Sequence, residues 1–129
     1  MNSQKTIFIV DDDTFLLDMY SLKFREAGFH VEIASGGEEA LEKIRGGLKP
    51  DIMLLDIVMP SIDGVEILRI LKKEKLLTNT IIVILSNLSQ KQDVQKAIDL
   101  GADDYIIKAH FTPSEVVKKV EEILNSRQL

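Results

Sequence analysis

The chain alternates five short apolar runs with five amphipathic segments, and this alternation limits the folds open to it more than any other feature. Each apolar run is shorter than a typical helix and is bounded by polar or turn residues, which is typical of strands buried in a sheet. The amphipathic segments repeat their apolar residues at helical spacing. Strict alternation predicts a parallel sheet with right-handed crossovers and helices on both faces. The apolar runs cover residues 7–10, 31–34, 52–55, 81–85 and 105–107.

Five such units most simply form an α/β fold, a doubly wound five-stranded parallel sheet of the flavodoxin-like (βα)5 type. Its predicted strand order is 2-1-3-4-5. In that order the first and third strands are neighbours, and their carboxyl ends flank the point where open α/β sheets bind ligands. Because the alternation fills nearly the whole chain, residues 1–129 are predicted to be one domain without a further output domain.

Composition narrows the classes of function. No apolar run approaches the roughly 20 residues of a membrane span, and the first residues do not resemble a signal peptide. The absence of cysteine excludes disulfides and thiolate metal sites, and it agrees with a reducing cytoplasm. The net charge of −5 opposes binding to nucleic acid phosphates. We therefore expect a cytoplasmic domain that binds neither nucleic acid nor membrane.

Several helix starts carry capping residues. Asp13 is predicted to cap the first helix. Three further starts read as capping boxes, in which a side chain at the helix start and one three residues later bond to each other's backbone. These pairs are Ser35 with Glu38, Ser89 with Gln92, and Thr112 with Glu115, the last with Pro113 at the first helical position.

Polar side chains stand where four of the predicted strands end. Asp11 and Asp12 follow the first strand, Asp56 the third, Ser86 the fourth and Lys108 the fifth. Carboxylates on neighbouring strands repel one another unless a cation lies between them, and an oxygen-only ligand set suits Mg²⁺. A hydroxyl and an ammonium group nearby can bind phosphoryl oxygens. The sequence therefore predicts a carboxylate that accepts or binds a phosphoryl group with Mg²⁺.

Each of these residues taken singly has a plainer explanation. Asp56 can end a strand and cap a turn, Ser86 can be a turn hydroxyl, and Lys108 can be solvated. Tyr105 by default is a half-buried aromatic side chain of a strand. Only their joint placement at four strand ends is specific.

The order and spacing of these motifs resemble the receiver domains of bacterial two-component response regulators (REC, CheY-like), over about residues 7–124. The matching pieces are V-D-D-D after the first strand, P-D-I-M-L-L-D-I-V-M-P-S-I-D-G, I-L-S, and G-A-D-D-Y-I-I-K. The resemblance implies a phosphorelay signalling protein that catalyses only its own phosphorylation and dephosphorylation.

The resemblance also implies the role of each site residue. Asp56 becomes the phospho-acceptor and a metal ligand. Asp12 becomes a direct Mg²⁺ ligand, Asp11 one acting mostly through water, and the backbone carbonyl of Val58 a further ligand. Ser86 and Lys108 join Asp56 as catalytic residues that bind the phosphoryl group. Ser86 and Tyr105 form the switch, in which Ser86 turns toward the phosphoryl group and Tyr105 swings inward.

The implied partners are proteins. A sensor histidine kinase or a histidine phosphotransfer protein supplies the phosphoryl group. A downstream effector reads the face made by the fourth helix, fifth strand and fifth helix, which could also form a homodimer.

Two departures from the family pattern carry expectations of their own. Receivers usually have proline after the lysine of the fifth strand, whereas this chain has Ala109 and a loop that looks one residue longer. The Lys108–Ala109 bond is therefore predicted to be trans, with Lys108 still reaching Asp56. Val58 and Leu88 are apolar, which predicts a comparatively long-lived aspartyl phosphate.

Two other classes compete with this interpretation. A haloacid-dehalogenase-like phosphatase would need Thr or Val four residues after its nucleophile, whereas Phe15 stands there when Asp11 is the nucleophile. A pseudo-receiver, a pure interaction module, would not need the acidic set together with Ser86 and Lys108.

Overall fold

A computed structural model describes residues 4–127 of the protein. It contains one five-stranded parallel sheet in the order 2-1-3-4-5, so the predicted α/β doubly wound fold is confirmed. The strands are β1 (Thr6–Val10), β2 (His30–Ala34), β3 (Ile52–Leu55), β4 (Ile81–Ser86) and β5 (Asp104–Ile107). The helices are α1 (Thr14–Glu26), α2 (Gly37–Arg45), α3 (Gly64–Lys73), α4 (Lys91–Asp99) and α5 (Pro113–Ser126).

Two apolar clusters cover the two faces of the sheet. Helices α1 and α5 pack on one face, and α2, α3 and α4 pack on the other. Successive strand residues alternate between the clusters; in β3, for example, Ile52 and Leu54 face α1 and α5, while Met53 and Leu55 face the other helices. All four are fully buried, which explains why the central strand reads as a continuous apolar run.

The predicted caps of α1 and α5 are confirmed. Asp13 Oδ1 accepts a hydrogen bond from the Leu16 N–H at 3.1 Å. At the start of α5, the Thr112 N–H donates to Glu115 Oε1 at 2.9 Å, and the Glu115 N–H donates to Thr112 Oγ1 at 3.2 Å. Both helix starts depend on residues that are only three positions apart, so the sequence pattern was sufficient to predict them.

The predicted capping box of α2 is wrong. Gly36, not Ser35, takes the extended N-cap conformation, and the helix begins at Gly37. The backbone N–H and hydroxyl of Ser35 donate to Glu39 Oε1, at 2.8 and 3.0 Å, instead of pairing with Glu38. Gly37, the first residue of the helix, has no side chain, and this allows the turn to approach another loop closely.

The predicted box of α4 is displaced by one residue. Gln90, rather than Ser89, occupies the N-cap, and its N–H donates to Asp93 Oδ2 at 3.2 Å. The side chain three residues after the cap is thus a carboxylate, where the sequence prediction used Gln92. A carboxylate accepts hydrogen bonds from the free N–H groups at a helix start, and the positive end of the helix dipole stabilises its negative charge.

Within residues 4–127, no helix is both long and apolar enough to cross a membrane.

Candidate functional site

Three carboxylates meet at the carboxyl ends of β1 and β3. The two strands pair in parallel with Val10 beside Leu55, so the residues that follow them, Asp11 and Asp56, become neighbours. One oxygen from each of Asp11, Asp12 and Asp56 lies within 4.8 Å of the others. Asp11 and Asp56 are buried and Asp12 is exposed. The structure therefore brings together the acidic set that the sequence analysis singled out.

Lys108 enters this cluster from the turn that follows β5. Its Nζ lies 2.7 Å from Asp11 Oδ2 and 2.9 Å from Asp56 Oδ2. The Lys108 side chain is only 9 % exposed, so the ammonium is almost enclosed by its two partners. Two buried carboxylates can coexist here because this single cation bridges them.

Burial and pairing act in opposite directions on the bridged groups. Burial raises the pKa of the Asp11 carboxyl above its ordinary value, and hydrogen bonds from Lys108 and from the Asp13 N–H only partly oppose this. Burial lowers the pKa of Lys108, but hydrogen bonds to Asp11 and Asp56 outweigh it, so that pKa lies above its ordinary value. The lysine therefore stays charged at neutral pH.

The turn after β5 accommodates the alanine that replaces the family's proline. Residues Lys108–His110 form one 3₁₀ turn, closed by a hydrogen bond of 3.2 Å from the Phe111 N–H to the Lys108 carbonyl. The structure has no cis peptide bond within its described residues, which confirms the predicted trans bond between Lys108 and Ala109. Lys108 reaches Asp56 from this turn, as expected.

The backbone around Asp56 is held by the first residue of α3. A Cβ atom on Gly64 would lie 2.4 Å from the Asp56 carbonyl oxygen and 2.8 Å from the Ile57 Cα, so only glycine fits. The Gly64 N–H donates to the Ile57 carbonyl at 2.8 Å, and the Val58 N–H donates to Asp56 Oδ1 at 3.4 Å. In the sequence, Gly64 marks only a turn before the third helix and the end of the motif P-D-I-M-L-L-D-I-V-M-P-S-I-D-G. Its contact with Asp56 cannot be predicted from the neighbouring residues, because only the glycine itself indicates a close approach.

Ser86 and Tyr105, the two predicted switch residues, are tied to the same residue of the β4–α4 loop. The Leu88 N–H donates to Ser86 Oγ at 3.3 Å, and the Tyr105 hydroxyl donates to the Leu88 carbonyl at 2.6 Å. Ser86 is fully buried, and among the described residues its hydroxyl is not bonded to the acids. The sequence predicts a role only for the Leu88 side chain. The hydrogen bonds of its backbone could not be predicted, because nearly all residue types have the same backbone groups.

The donor set fits a hard divalent cation. Three clustered carboxylates supply oxygen ligands only, as Mg²⁺ prefers, and one of them opens to solvent so that a cation can keep bound waters. The described residues of this cluster include neither histidine nor cysteine, which excludes a soft-metal ligand set.

The fold and this cluster are those of a receiver domain. The family model of the response regulator receiver domain matches residues 7–121. The chain therefore belongs to the response regulator receiver domain family, whose members act in two-component signalling.

Individual relatives agree with this assignment. The chain is 35 % identical over 125 residues to the alkaline phosphatase synthesis transcriptional regulatory protein PhoP of Bacillus subtilis, covering 97 % of this chain and 50 % of PhoP. It is 35 % identical over 117 residues to the DNA-binding response regulator MtrA of Mycolicibacterium paratuberculosis, covering 91 % of this chain and 50 % of MtrA. The chain thus spans about half the length of these relatives.

A solved structure gives the same result. The CheY-like response regulator receiver domain protein of Methanospirillum hungatei superposes with a TM-score of 0.85 at 31 % identity, and the match covers 96 % of both chains.

Proposed function

We propose that this protein is a phospho-accepting receiver in which Asp56 takes a phosphoryl group from a sensor histidine kinase or a histidine phosphotransfer protein. The observation that carries the proposal is the pairing of Asp56 with Lys108 at 2.9 Å inside a cluster of three carboxylates. An Asp56 oxygen attacks phosphorus, and the P–N bond to the donor histidine breaks as the P–O bond forms. The imidazole leaves with the electron pair and takes up a proton from solvent.

The proposed metal ligands are the carboxylates of Asp11, Asp12 and Asp56 with the backbone carbonyl of Val58. Mg²⁺ bound there would offset the charge of the carboxylates and of the transferring phosphoryl group. Lys108 is already within hydrogen-bond distance of Asp56, so its ammonium needs only a small movement to bond a phosphoryl oxygen. The protein's own contribution is thus a fixed nucleophile beside the ammonium group of Lys108.

Two exposed apolar side chains at the carboxyl-terminal edge of the sheet favour a protein as the phosphoryl donor. Phe15, on the first turn of α1, is 71 % exposed, and Val58 in the loop after Asp56 is 60 % exposed. Large exposed apolar side chains on the same edge as the acidic cluster suit docking of another protein. A small phosphate ester would gain little from them.

In the proposed switch, the backbone of Leu88 connects Ser86 to Tyr105. A phosphoryl group on Asp56 would offer acceptor oxygens to the Ser86 hydroxyl, whose present bond is to the Leu88 N–H. Movement of that loop would also change the bond from Tyr105 to Leu88. The surface of α4, β5 and α5 would then change shape for a downstream effector, or for a second copy of the chain.

A groove on that surface supports the choice of face. It encloses about 410 Å³ along β5 and α5. Its lining includes Tyr105, His110, Phe111 and Lys119. A partner bound here would contact the switch tyrosine directly.

The protein acts in the cytoplasm through protein partners in a phosphorelay, and it catalyses only its own phosphorylation and dephosphorylation. Its aspartyl phosphate is long-lived, because Val58 and Leu88 offer no side-chain group to orient an attacking water. Val58→Asn should speed the decay of the phosphoprotein; equal decay rates would contradict this point.

Mass spectrometry after incubation with acetyl phosphate and Mg²⁺ tests the proposed function. The wild type should gain one phosphoryl group, and Asp56→Asn should gain none. Asp18→Asn, which removes an exposed carboxylate of α1, is the matched control and should be labelled like the wild type. Labelling that survives Asp56→Asn, or that is indifferent to EDTA, would refute the proposal.

A further inference from the structure

The start of α2 lies against the loop that follows Asp56, in a contact too tight for any side chain at position 37. A Cβ atom on Gly37 would lie 2.3 Å from the carbonyl oxygen of Ile62 and 2.8 Å from its Cβ. The neighbouring Gly36 is open, since a Cβ there would meet nothing within 4 Å. Two adjacent glycines of one turn thus differ completely in their surroundings.

Ile62 belongs to the segment 57–63, which joins Asp56 to α3 and carries Val58. Its beginning is held by Gly64, as described above, and its far end lies against Gly37. Between them Ser61 takes a φ of 66°, a left-handed conformation that is unfavourable for residues with a side chain. The path of this segment is therefore set by backbone contacts at both ends rather than by the preference of its own residues.

We propose that Gly37 is a positioning residue for the acceptor loop, holding the Val58 backbone and Asp56 in the geometry for metal binding and phosphorylation. The inference rests on the proposed function of Asp56. Helix α2 contributes no side chain to the acidic cluster, but through Gly37 it would help to hold the acceptor loop in place.

A side chain at position 37 would collide with atoms that cannot move independently of the backbone. Gly37 does not adopt a left-handed φ, so alanine there is strained only by the contact with Ile62. The closest atom is a backbone oxygen, which cannot move by a change of rotamer. Relief requires a shift of the backbone, and on the Ile62 side this backbone is the segment 57–63, which begins directly after Asp56. Alanine is otherwise the better helix former, so without this contact the substitution would be favourable.

The test compares Gly37→Ala with Gly36→Ala. Mg²⁺ affinity is measured by calorimetry, and the phosphorylation rate with acetyl phosphate by mass spectrometry. We expect Gly37→Ala to slow phosphorylation by about 10- to 100-fold, because a misplacement of about 1 Å at a reacting group has effects of that size. Mg²⁺ binding should weaken with it, while Gly36→Ala should match the wild type. Equal behaviour of the two variants would overturn the inference.

A second pair covers the case in which Gly37→Ala does not fold. Ile62→Ala removes the Cγ2 atom that lies 3.0 Å from the Gly37 Cβ position, without adding any atom. Ile70→Ala trims the same residue type on α3, at the edge of the same apolar cluster. We expect Ile62→Ala to weaken Mg²⁺ binding roughly threefold through a looser loop. The inference fails if the two variants bind Mg²⁺ equally.

The amide NMR spectrum of the metal-free protein separates this inference from the proposed function. Gly37→Ala should shift the amide signals of Val58 and Gly64, and Gly36→Ala should leave them in place. A wild type that is never phosphorylated would refute the proposed function alone, since these shifts would still report the contact. Unshifted signals in a folded Gly37→Ala protein would refute the positioning role alone.

Discussion

The half of the molecule that carries the acceptor differs in packing from the half that carries the switch. In β3, which leads to Asp56, all four residues are buried, whereas in β5, which carries Tyr105, only Ile106 is. Helix α3 buries four residues against the sheet, while in α4 the one buried residue among those described is Ala97. Few buried contacts mean a low local free energy of opening. The acceptor is thus held rigidly, whereas β5 and α4, two of the three elements of the surface proposed to respond, are packed less tightly.

The two halves also differ in the kind of contact that holds them. Asp56 is positioned by close packing of Gly64 on its carbonyl group and by the nearly enclosed ammonium of Lys108. In the β4–α4 loop the Leu88 backbone takes part in two hydrogen bonds, with Ser86 and Tyr105, and the Leu88 side chain is only partly buried. Packed contacts allow one arrangement, whereas hydrogen bonds can be exchanged for others of similar energy. Fixed geometry therefore serves the chemistry, and exchangeable bonds serve the switch.

The largest expected effect tests the packing difference itself. Leu54→Ala, in the centre of β3, should lower the free energy of unfolding by about 2–5 kcal/mol, because it leaves a cavity in a close-packed core. Ile98→Ala on α4, where the side chain is 39 % exposed, should cost less than about 1 kcal/mol. Urea unfolding of both variants measures this. Equal costs would remove the basis of the comparison.

Removing Lys108 should destabilise the acceptor half in a way that metal can repair. Lys108→Ala leaves Asp11 and Asp56 buried without a cation and should cost about 3 kcal/mol in the absence of metal. Because the lysine also competes with a cation for these carboxylates, the variant should bind Mg²⁺ more tightly than the wild type. Saturating Mg²⁺ should restore most of the lost stability.

Thermal unfolding with EDTA and with excess Mg²⁺ checks this prediction. Lys118→Ala, which removes an exposed lysine of α5, is the control and should change little in either condition. A metal-free Lys108→Ala protein as stable as the wild type would show that the bridge does not hold the cluster together.

Loss of the Tyr105 hydroxyl should act on the switch half alone. Tyr105→Phe removes the hydrogen bond to the Leu88 carbonyl and should cost about 1 kcal/mol. Hydrogen exchange should become faster in the β4–α4 loop, while the rate of Asp56 phosphorylation by acetyl phosphate should stay close to that of the wild type. Slower phosphorylation without faster exchange would mean that the two halves are not separable in this way.

The smallest expected effect concerns pH and a helix start on the acceptor side. Hydrogen bonds from the backbone and hydroxyl of Ser35 hold the pKa of Glu39 below its ordinary value of 4.5. Since the folded-state pKa is the lower one, this stabilisation is present above pH 4.5 and is lost as the pH falls through the folded-state pKa. The gain is about 0.5 kcal/mol or less, because the carboxylate is largely solvated.

Urea unfolding between pH 6 and pH 3 measures this small contribution. Glu39→Gln should lose less stability on acidification than the wild type. Glu42→Gln removes the same charge from the exposed side of α2 without touching Ser35, and should follow the wild type. If both variants behave alike, the bonds to Ser35 do not contribute, and the rigidity of this half comes from its core alone.

Sequence alone determined the layers of this protein and the members of its acidic cluster. The bounds of β3 follow from its apolar run, and the parallel order then brings Asp11 beside Asp56. The caps at Asp13 and Thr112 were also predictable, because each depends on residues only three positions apart. Burial periodicity and capping are local properties, so residue types record them.

Only the tertiary structure decided how distant segments meet. The bridging of two carboxylates by Lys108, the bond of Tyr105 to the Leu88 backbone, and the contact of Gly37 with Ile62 each join parts of the chain far apart in sequence. The N-cap of α2 lies one residue later than predicted, in a turn that packs against a loop 25 residues further along the chain. Such contacts depend on the distances between packed backbones, which residue types do not encode locally.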